Sequence, residues 1–268
     1  MTAVIANGVS LHFEVRGEGP ALLMLPGLGL DLGAFDAIAQ RLERKFACIA
    51  LDNRGAGESD APRGPYRIED LAADALAVLG AAGHDRAFVL GHSLGGFIAI
   101  ELALLFPEAV RGLLLLSTAA AGDPAKLRQC DEAKAAFARR NGTREEIERG
   151  ILAACLTEEF LRERPDDFER FVADRLSHAP SGRGLAGQRA AARAFDAAER
   201  LCDLRVSTAV VHGNEDRVVG LDCGRALFAS IPNAALHVLT GVGHLPFLEA
   251  PSQLAALAEA AFTPGERP

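Results

Sequence analysis

The sequence predicts an α/β fold in which a mostly parallel sheet is covered by helices on both faces. Short apolar runs alternate with amphipathic stretches along the first half of the chain and again near its end. Strands of a parallel sheet are buried on both faces and therefore read as nearly continuous apolar runs, whereas the amphipathic stretches have helical spacing. Hydrophobic residues make up 49% of the 268 residues, which is enough for a large buried sheet.

Seven segments are predicted to be strands. The first alternates in hydropathy with a period of two, and the others are short apolar runs. In chain order they are 9–15, 21–25, 47–51, 87–90, 112–116, 208–212 and 235–239. Helical periodicity lies between and after them, at residues 34–43, 68–82, 94–106, 221–229 and 253–262. Strands that alternate with helices in this way favour parallel pairing.

The pattern changes between residues 122 and 200, where no strand is predicted. This segment holds 15 Lys and Arg against 15 Asp and Glu, so it is rich in charge and neutral overall. We interpret it as a helical cap, or lid, inserted into a core domain formed by residues 1–121 and 201–268. The same composition also fits additional solvated helices packed on the core, so both interpretations stay open.

Composition limits the classes of partner. The net charge of −8 and a pI of about 5.4 disfavour nucleic acid and anionic membrane, because both would be repelled. The N-terminal sequence MTAVIANGVS lacks the basic and apolar regions of a secretory signal, and no apolar run approaches the roughly 20 residues of a membrane span. We therefore expect a cytoplasmic protein, a monomer or homodimer, that binds a small molecule rather than nucleic acid or membrane.

The clearest catalytic signal is Gly-His-Ser-Leu-Gly at residues 91–95, a G-x-S-x-G motif. It follows a predicted strand and precedes a predicted helix, and in that context the motif forms a sharp turn that exposes the serine at the carboxyl edge of the sheet. Ser93 is therefore the predicted nucleophile. The neighbouring His92 is predicted to point away from it and to serve in packing.

A serine hydroxyl needs a general base, and the chain order typical of this turn is Ser, then Asp or Glu, then His. Asp216 and His244 each follow a predicted strand and would lie at the same sheet edge as Ser93. We predict that His244 takes the serine proton and that Asp216 orients the imidazole. Two other acids are alternatives: Glu215 is adjacent to Asp216, and Asp123 follows the preceding core strand.

Two backbone N–H groups are predicted to form an oxyanion hole. One belongs to Leu94, directly after the nucleophile, and the other to Leu28, in the Pro-Gly-Leu-Gly loop after an early strand. A glycine-rich turn without function is the alternative interpretation of that loop. The His, Asp and Glu residues have no metal-ligand spacing, and no dinucleotide-binding glycine motif is present, so we expect neither a metal nor another cofactor.

The chain resembles the α/β-hydrolase superfamily in the order and spacing of five segments: PGLG, DNRGAGES, GHSLGG, HGNEDRVV and GVGHLPFLEAP. Within it, the layout is similar to the 3-oxoadipate enol-lactonase group and its carboxylesterase relatives. The resemblance implies an eight-stranded, mostly parallel sheet with a helical lid inserted after strand 6. It also implies cofactor-free hydrolysis of a small ester or lactone through an acyl-enzyme intermediate, with Ser93, Asp216 and His244 as the catalytic triad.

Two other functions are compatible with these residues. Hydrolases that cleave a carbon–carbon bond in ring-cleavage products share the same triad. A ligand-binding or signalling protein could also retain the fold with slow turnover. Serine rather than aspartate at position 93 speaks against haloalkane dehalogenase and epoxide hydrolase chemistry.

One segment is relevant to the charge of the substrate. Residues 175–195 contain four arginines and no acidic residue. Arg189 and Arg193 are four positions apart and would share one face of a helix, where they could bind a substrate carboxylate through bidentate contacts. A solvated helix face is the alternative interpretation.

Overall fold

The computed structural model describes residues 2–262, and within that range the sheet has eight strands. In chain order they are β1 (Thr2–Ala6), β2 (Val9–Arg16), β3 (Ala21–Leu25), β4 (Ala47–Leu51), β5 (Ala87–His92), β6 (Val110–Leu116), β7 (Thr208–Gly213) and β8 (Ala234–Leu239). Their order across the sheet is β1-β2-β4-β3-β5-β6-β7-β8. β2 pairs antiparallel with both of its neighbours, and the pairs from β4 to β8 are parallel. The predicted mostly parallel, eight-stranded sheet is confirmed.

Eleven α-helices accompany the sheet in the described range. They are α1 (Asp36–Leu42), α2 (Ile68–Ala81), α3 (Leu94–Leu105), α4 (Asp131–Ala138), α5 (Arg144–Cys155), α6 (Glu158–Glu163), α7 (Pro165–Ser177), α8 (Gly182–Ala194), α9 (Leu221–Ser230), α10 (Pro246–Glu249) and α11 (Pro251–Phe262). None of them is both long and apolar enough to cross a lipid bilayer.

The central strands form the core of the molecule. Every residue of β3, β4 and β7 is buried, which is why their sequences carry no polar alternation. α3 is buried along its first ten residues, and for the same reason its sequence carries no charged residue except Glu101. β1 was not among the individually predicted strands. It lies at the sheet edge with Ile5 83% exposed, so burial imposes little hydropathy pattern on it.

The chain between β6 and β7 forms five of the described helices, α4 to α8. Their starts are set by local sequence: Thr143 and Glu146 form a reciprocal capping box at α5, and Ser181 caps α8 through its hydroxyl. This is the segment that the sequence predicts to be helical. Its separation as a cap over residues 122–200 stays a prediction, and residues 1 and 263–268 of the predicted core domain lie outside the described range.

Candidate active site

A strained turn forms where β5 ends and α3 begins. Ser93 lies between them with φ 52° and ψ −114°, in a region that non-glycine residues rarely adopt. The N–H of Ser93 donates to the carbonyl oxygen of Leu116 at 2.9 Å, and the Thr118 hydroxyl donates to the Ser93 carbonyl oxygen at 2.8 Å. Contacts with the end of β6 therefore hold the turn in its strained conformation.

Two glycines allow this turn to be tight. A Cβ at Gly95 would overlap the carbonyl oxygen of Leu25, and a Cβ at Gly91 would overlap the carbonyl oxygen of Gly95. The close approach of α3 to β3 and β5 thus requires the G-x-S-x-G spacing. It leaves the Ser93 side chain partly exposed, at the carboxyl edge of the sheet.

Three side chains form a continuous hydrogen-bonded chain at this edge. His244 Nε2 lies 3.1 Å from Ser93 Oγ, and His244 Nδ1 lies 2.8 Å from Asp216 Oδ2. Asp216 comes from the loop after β7, and His244 comes from the loop between β8 and α10. An imidazole with its proton on Nδ1 donates to Asp216 and accepts from the Ser93 hydroxyl. The structure thus brings together the predicted nucleophile, base and acid.

The Asp216 carboxylate is buried and surrounded by donors. Its Oδ1 accepts from the N–H groups of Val218 at 2.9 Å and Val219 at 2.8 Å, and its Oδ2 also lies 3.4 Å from His212 Nε2. Burial by itself would raise the pKa of Asp216, but interactions with His244 and His212 outweigh it and hold this pKa below its ordinary value. Asp216 therefore stays ionised and can stabilise a protonated His244.

Both backbone groups of His244 are paired as well. Its N–H donates to the Cys155 carbonyl oxygen at 2.8 Å, and its own carbonyl oxygen accepts from His92 Nε2 at 2.9 Å. Burial and the neighbouring His244 lower the pKa of His92 to about 3, so the His92 ring is neutral. The sequence predicts a packing role for His92. The ring does pack edge-on against Phe247, but it also holds the loop that carries His244.

The two alternative acids lie elsewhere. Glu215 is exposed to solvent although its neighbour Asp216 is buried, because adjacent residues of this loop point in different directions. Asp123 is also exposed, and its Oδ1 accepts the N–H of Ala125 two positions later. Asp216 is thus the predicted acid that the structure places beside the imidazole.

The two backbone N–H groups predicted to form the oxyanion hole belong to different elements. Leu94 is the first residue of α3, and Leu28 belongs to the loop after β3. Neither N–H has an acceptor within residues 2–262, so neither is committed to another hydrogen bond there. Leu28 and Leu94 line the same cavity as Ser93.

Gly29, the residue after Leu28, is held at both of its backbone polar groups. The N–H of Gly29 donates to Gln188 Oε1 at 2.8 Å, and the Gly29 carbonyl oxygen accepts from the Arg175 guanidinium. Gln188 is fully buried and donates from Nε2 to the Arg54 carbonyl oxygen at 2.9 Å. Helices α7 and α8 therefore support the loop of Leu28. No sequence motif signals this role, because the contact joins residues 159 positions apart.

A cavity of about 380 Å³ reaches Ser93 and His244. Its wall is largely apolar, with contributions from core and inserted helices that include Leu94, Phe97, Phe137, Leu152, Val219 and Leu245. Arg189 and Arg193, the predicted carboxylate-binding residues on α8, line the cavity as well. Across the described part of the chain, no group of three or more His, Cys, Asp or Glu residues is arranged to hold a metal ion.

Comparison with known proteins agrees with this fold. A family model described as alpha/beta hydrolase fold matches residues 20–251. The chain belongs to the alpha/beta hydrolase fold family. It is 31% identical to "Putative carbamate hydrolase RutD" of Azorhizobium caulinodans over 84% of each chain. It is also 29% identical to 3-oxoadipate enol-lactonase 2 of Acinetobacter baylyi, over 92% of this chain and 90% of that one. The crystal structure of the enol-lactonase from Burkholderia xenovorans has a TM-score of 0.87 and 25% identity, covering 98% of this chain and 100% of the other.

The predicted superfamily is thus confirmed. His244 Nε2 is placed to accept the Ser93 proton, and Asp216 is placed to stabilise the imidazolium that results. The oxyanion-hole role of the Leu28 and Leu94 N–H groups stays a prediction. This arrangement can support attack of Ser93 on an electrophilic carbonyl carbon.

Proposed function

We propose that this α/β hydrolase cleaves a small carboxylic ester or lactone through an acyl-enzyme intermediate on Ser93. The observation that carries the proposal is the hydrogen-bonded chain from Asp216 through His244 to Ser93, beside two N–H donors and an apolar cavity. The likeness to two enol-lactonases, over nearly the whole chain, supports an ester or lactone bond.

In the first half of the reaction, Ser93 Oγ attacks the carbonyl carbon while its proton moves to His244 Nε2. The carbonyl oxygen becomes an oxyanion, which accepts hydrogen bonds from the N–H groups of Leu28 and Leu94. The tetrahedral intermediate collapses when the alkoxy group leaves with the proton from His244. The products are a free alcohol, or the opened hydroxyl end of a lactone, and an ester on Ser93.

In the second half, a water molecule takes the place of the alcohol. His244 Nε2 accepts a proton from the water, whose oxygen attacks the acyl carbon and forms a second oxyanion. Collapse of this intermediate returns the proton to Ser93 Oγ and releases the carboxylic acid. Asp216 stays ionised throughout and stabilises the imidazolium in both halves, as its lowered pKa favours.

A carbamate is the second candidate substrate, and similarity to RutD favours it. Attack by Ser93 on a carbamate carbonyl carbon would use the same proton transfers and the same N–H donors. The difference lies in the acyl-enzyme, which would carry nitrogen or oxygen beside its carbonyl carbon.

The first test is covalent labelling with a fluorophosphonate probe, combined with turnover of short p-nitrophenyl esters. We expect the wild type to be labelled and active. Ser93→Ala should lose the label and retain less than about one ten-thousandth of the activity, since knock-out of an activated serine typically costs that much or more. Ser177→Ala is the matched control: Ser177 is exposed on α7, so its replacement should change neither readout.

Each alternative function predicts a different outcome of these assays. Labelling at Ser93 with turnover of carbamates in preference to esters would assign the enzyme to carbamate hydrolysis. Loss of absorbance by a ring-cleavage product would assign it to carbon–carbon bond hydrolysis. A folded wild type that the probe does not label would refute an activated serine and leave a binding role.

A further inference from the structure

The charged side chains that line the cavity are all cationic. They are Lys134, Arg140, Arg175, Arg189 and Arg193, and no Asp or Glu among the described residues lines it. The whole chain has a formal charge of −8, so the cavity wall is opposite in sign to the protein. A cleft lined by one sign of charge concentrates ligands of the other sign.

Two of these five cations form no hydrogen bond or salt bridge within the described residues. The other three are engaged: Lys134 with Asp131, Arg175 with Glu148, and Arg140 with two backbone carbonyl oxygens. In contrast, Arg189 and Arg193 form neither a hydrogen bond nor a salt bridge with any residue between 2 and 262. Arg189 is half-buried, where an arginine without a partner is uncommon. Its guanidinium donors are available to a ligand.

The position of α8 places Arg189 near the reaction site. The preceding residue, Gln188, contacts the loop after β3 at Gly29. Three positions after Arg189, the backbone of Ala192 lies so close to Gly122 that a Cβ at Gly122 would overlap the Ala192 carbonyl oxygen. Gly122 and Ala192 both line the cavity. α8 therefore runs along the cavity wall from the loop after β3 to the segment that follows β6, and Arg189 lies between these two contacts in the helix.

Three of the four charged groups that act on Arg189 are arginines, and the fourth is Glu148. Burial lowers the pKa of Arg189, and the neighbouring Arg140 and Arg193 lower it further. An arginine still stays protonated throughout the physiological range, so loss of a proton does not relieve the repulsion. An anion bound between Arg189 and Arg193 would relieve it and would gain charge-assisted hydrogen bonds.

We propose that Arg189 and Arg193 bind a carboxylate of the substrate, so that the preferred substrates are esters or lactones whose acyl part ends in a free carboxylate. The planar guanidinium fork matches the geometry of a carboxylate. The nature of the scissile bond rests on the proposed function, whereas anion binding can be measured without turnover.

The test compares two esters that differ in one charge, mono-p-nitrophenyl adipate and its methyl ester. We expect the wild type to have the higher kcat/KM for the anionic ester. Arg189→Gln should lower kcat/KM for the anionic ester by about 10- to 100-fold, mainly through KM, because hydrogen bonds to a charged group are lost. Its effect on the methyl ester should stay within about two-fold, since a neutral end makes no such bonds.

Arg183→Gln is the matched control. Arg183 is exposed on the same helix and does not line the cavity, and its replacement changes the net charge by the same amount. It should leave both esters unaffected. An equal loss on the anionic ester in Arg183→Gln and Arg189→Gln would assign the effect to overall charge and overturn the proposal. An equal loss on both esters in Arg189→Gln would overturn it too.

Calorimetric titration of Ser93→Ala with monomethyl adipate separates the anion site from the reaction. Binding that is lost when Arg189→Gln is added supports the anion site, even if the wild type hydrolyses neither ester and the proposed ester function fails. If both esters are hydrolysed with equal kcat/KM and the titration shows no dependence on Arg189, the anion site is refuted while the ester function stands.

Discussion

Replacing Gln188 by methionine should slow the chemical step, although Gln188 does not contact the substrate carbonyl in the proposed reaction. Gln188 is fully buried and pairs with the Gly29 N–H at 2.8 Å and the Arg54 carbonyl oxygen at 2.9 Å. Methionine has a similar length but offers neither a strong acceptor nor a donor. Gly29, which follows the Leu28 N–H that we assign to the oxyanion hole, would lose one of its two anchors.

The magnitude follows from the groups left unpaired. Each buried polar group without a partner costs about 1–3 kcal/mol, so the two groups together lower the free energy of unfolding by about 2–6 kcal/mol. Complete loss of one oxyanion donor typically lowers kcat by about 10²- to 10³-fold. Since Arg175 still holds the Gly29 carbonyl oxygen, the donor is displaced rather than removed. We therefore expect kcat to fall by about 10- to 100-fold, with KM changed far less.

The assay measures kcat, KM and the thermal unfolding midpoint of Gln188→Met and Gln188→Glu on the same neutral p-nitrophenyl ester. Glutamate keeps an acceptor for the Gly29 N–H but, when ionised, loses the donor to Arg54. It should therefore retain more of kcat than methionine does. An unchanged kcat in a destabilised Gln188→Met protein would show that the contact serves stability alone and would refute the positioning role.

Two further predictions concern stability. Asp74→Ala leaves the buried Arg54 guanidinium without its carboxylate partner, so it should lower the free energy of unfolding, measured with denaturant, by about 3–5 kcal/mol. Asp222→Ala breaks an exposed pair with Arg225 and should lower it by at most about 1 kcal/mol. Similar losses in the two variants would contradict this. The pKa of His92, about 3 when folded against 6.5 in its ordinary state, means that below about pH 6.5 the unfolded chain binds a proton that the folded chain excludes. Stability should therefore fall on acidification, and the difference between wild type and His92→Gln should shift by about 2 kcal/mol between pH 7 and pH 5; parallel stability curves would argue against it.

The sheet was predictable because its central strands are buried on both faces. Burial forces β3, β4 and β7 to be apolar at every position, and that run is visible without any knowledge of their neighbours. β1 lacks this constraint. It pairs with β2 at the edge, where side chains such as Ile5 face solvent, so pairing with β2 rather than hydropathy determines its conformation.

The same contrast applies to the site. Ser93 is predictable because a local constraint, the glycines on both sides of a strained turn, is written into five consecutive residues. Asp216 and His244 follow from their positions after β7 and β8, which end at the same edge as β5. Gln188 carries no such signal, because an isolated glutamine on a helix acquires its role only from the backbone groups against which the helix docks.

Helix α8 carries residues for two proposed roles, binding of the substrate carboxylate and support of the oxyanion-hole loop. Gln188 and Arg189 are consecutive, and they face different partners: Gln188 is buried against Gly29 and Arg54, and Arg189 lines the cavity. A shift of α8 would therefore move the proposed carboxylate-binding site and the support of the proposed oxyanion hole together. An anion that draws Arg189 towards the cavity would act on the same rigid helix that positions the Leu28–Gly29 peptide group. Substrates with a carboxylate should therefore differ from neutral esters in KM, because Arg189 binds the carboxylate. If α8 moves when they bind, they should also differ in kcat, because Gln188 moves with the helix.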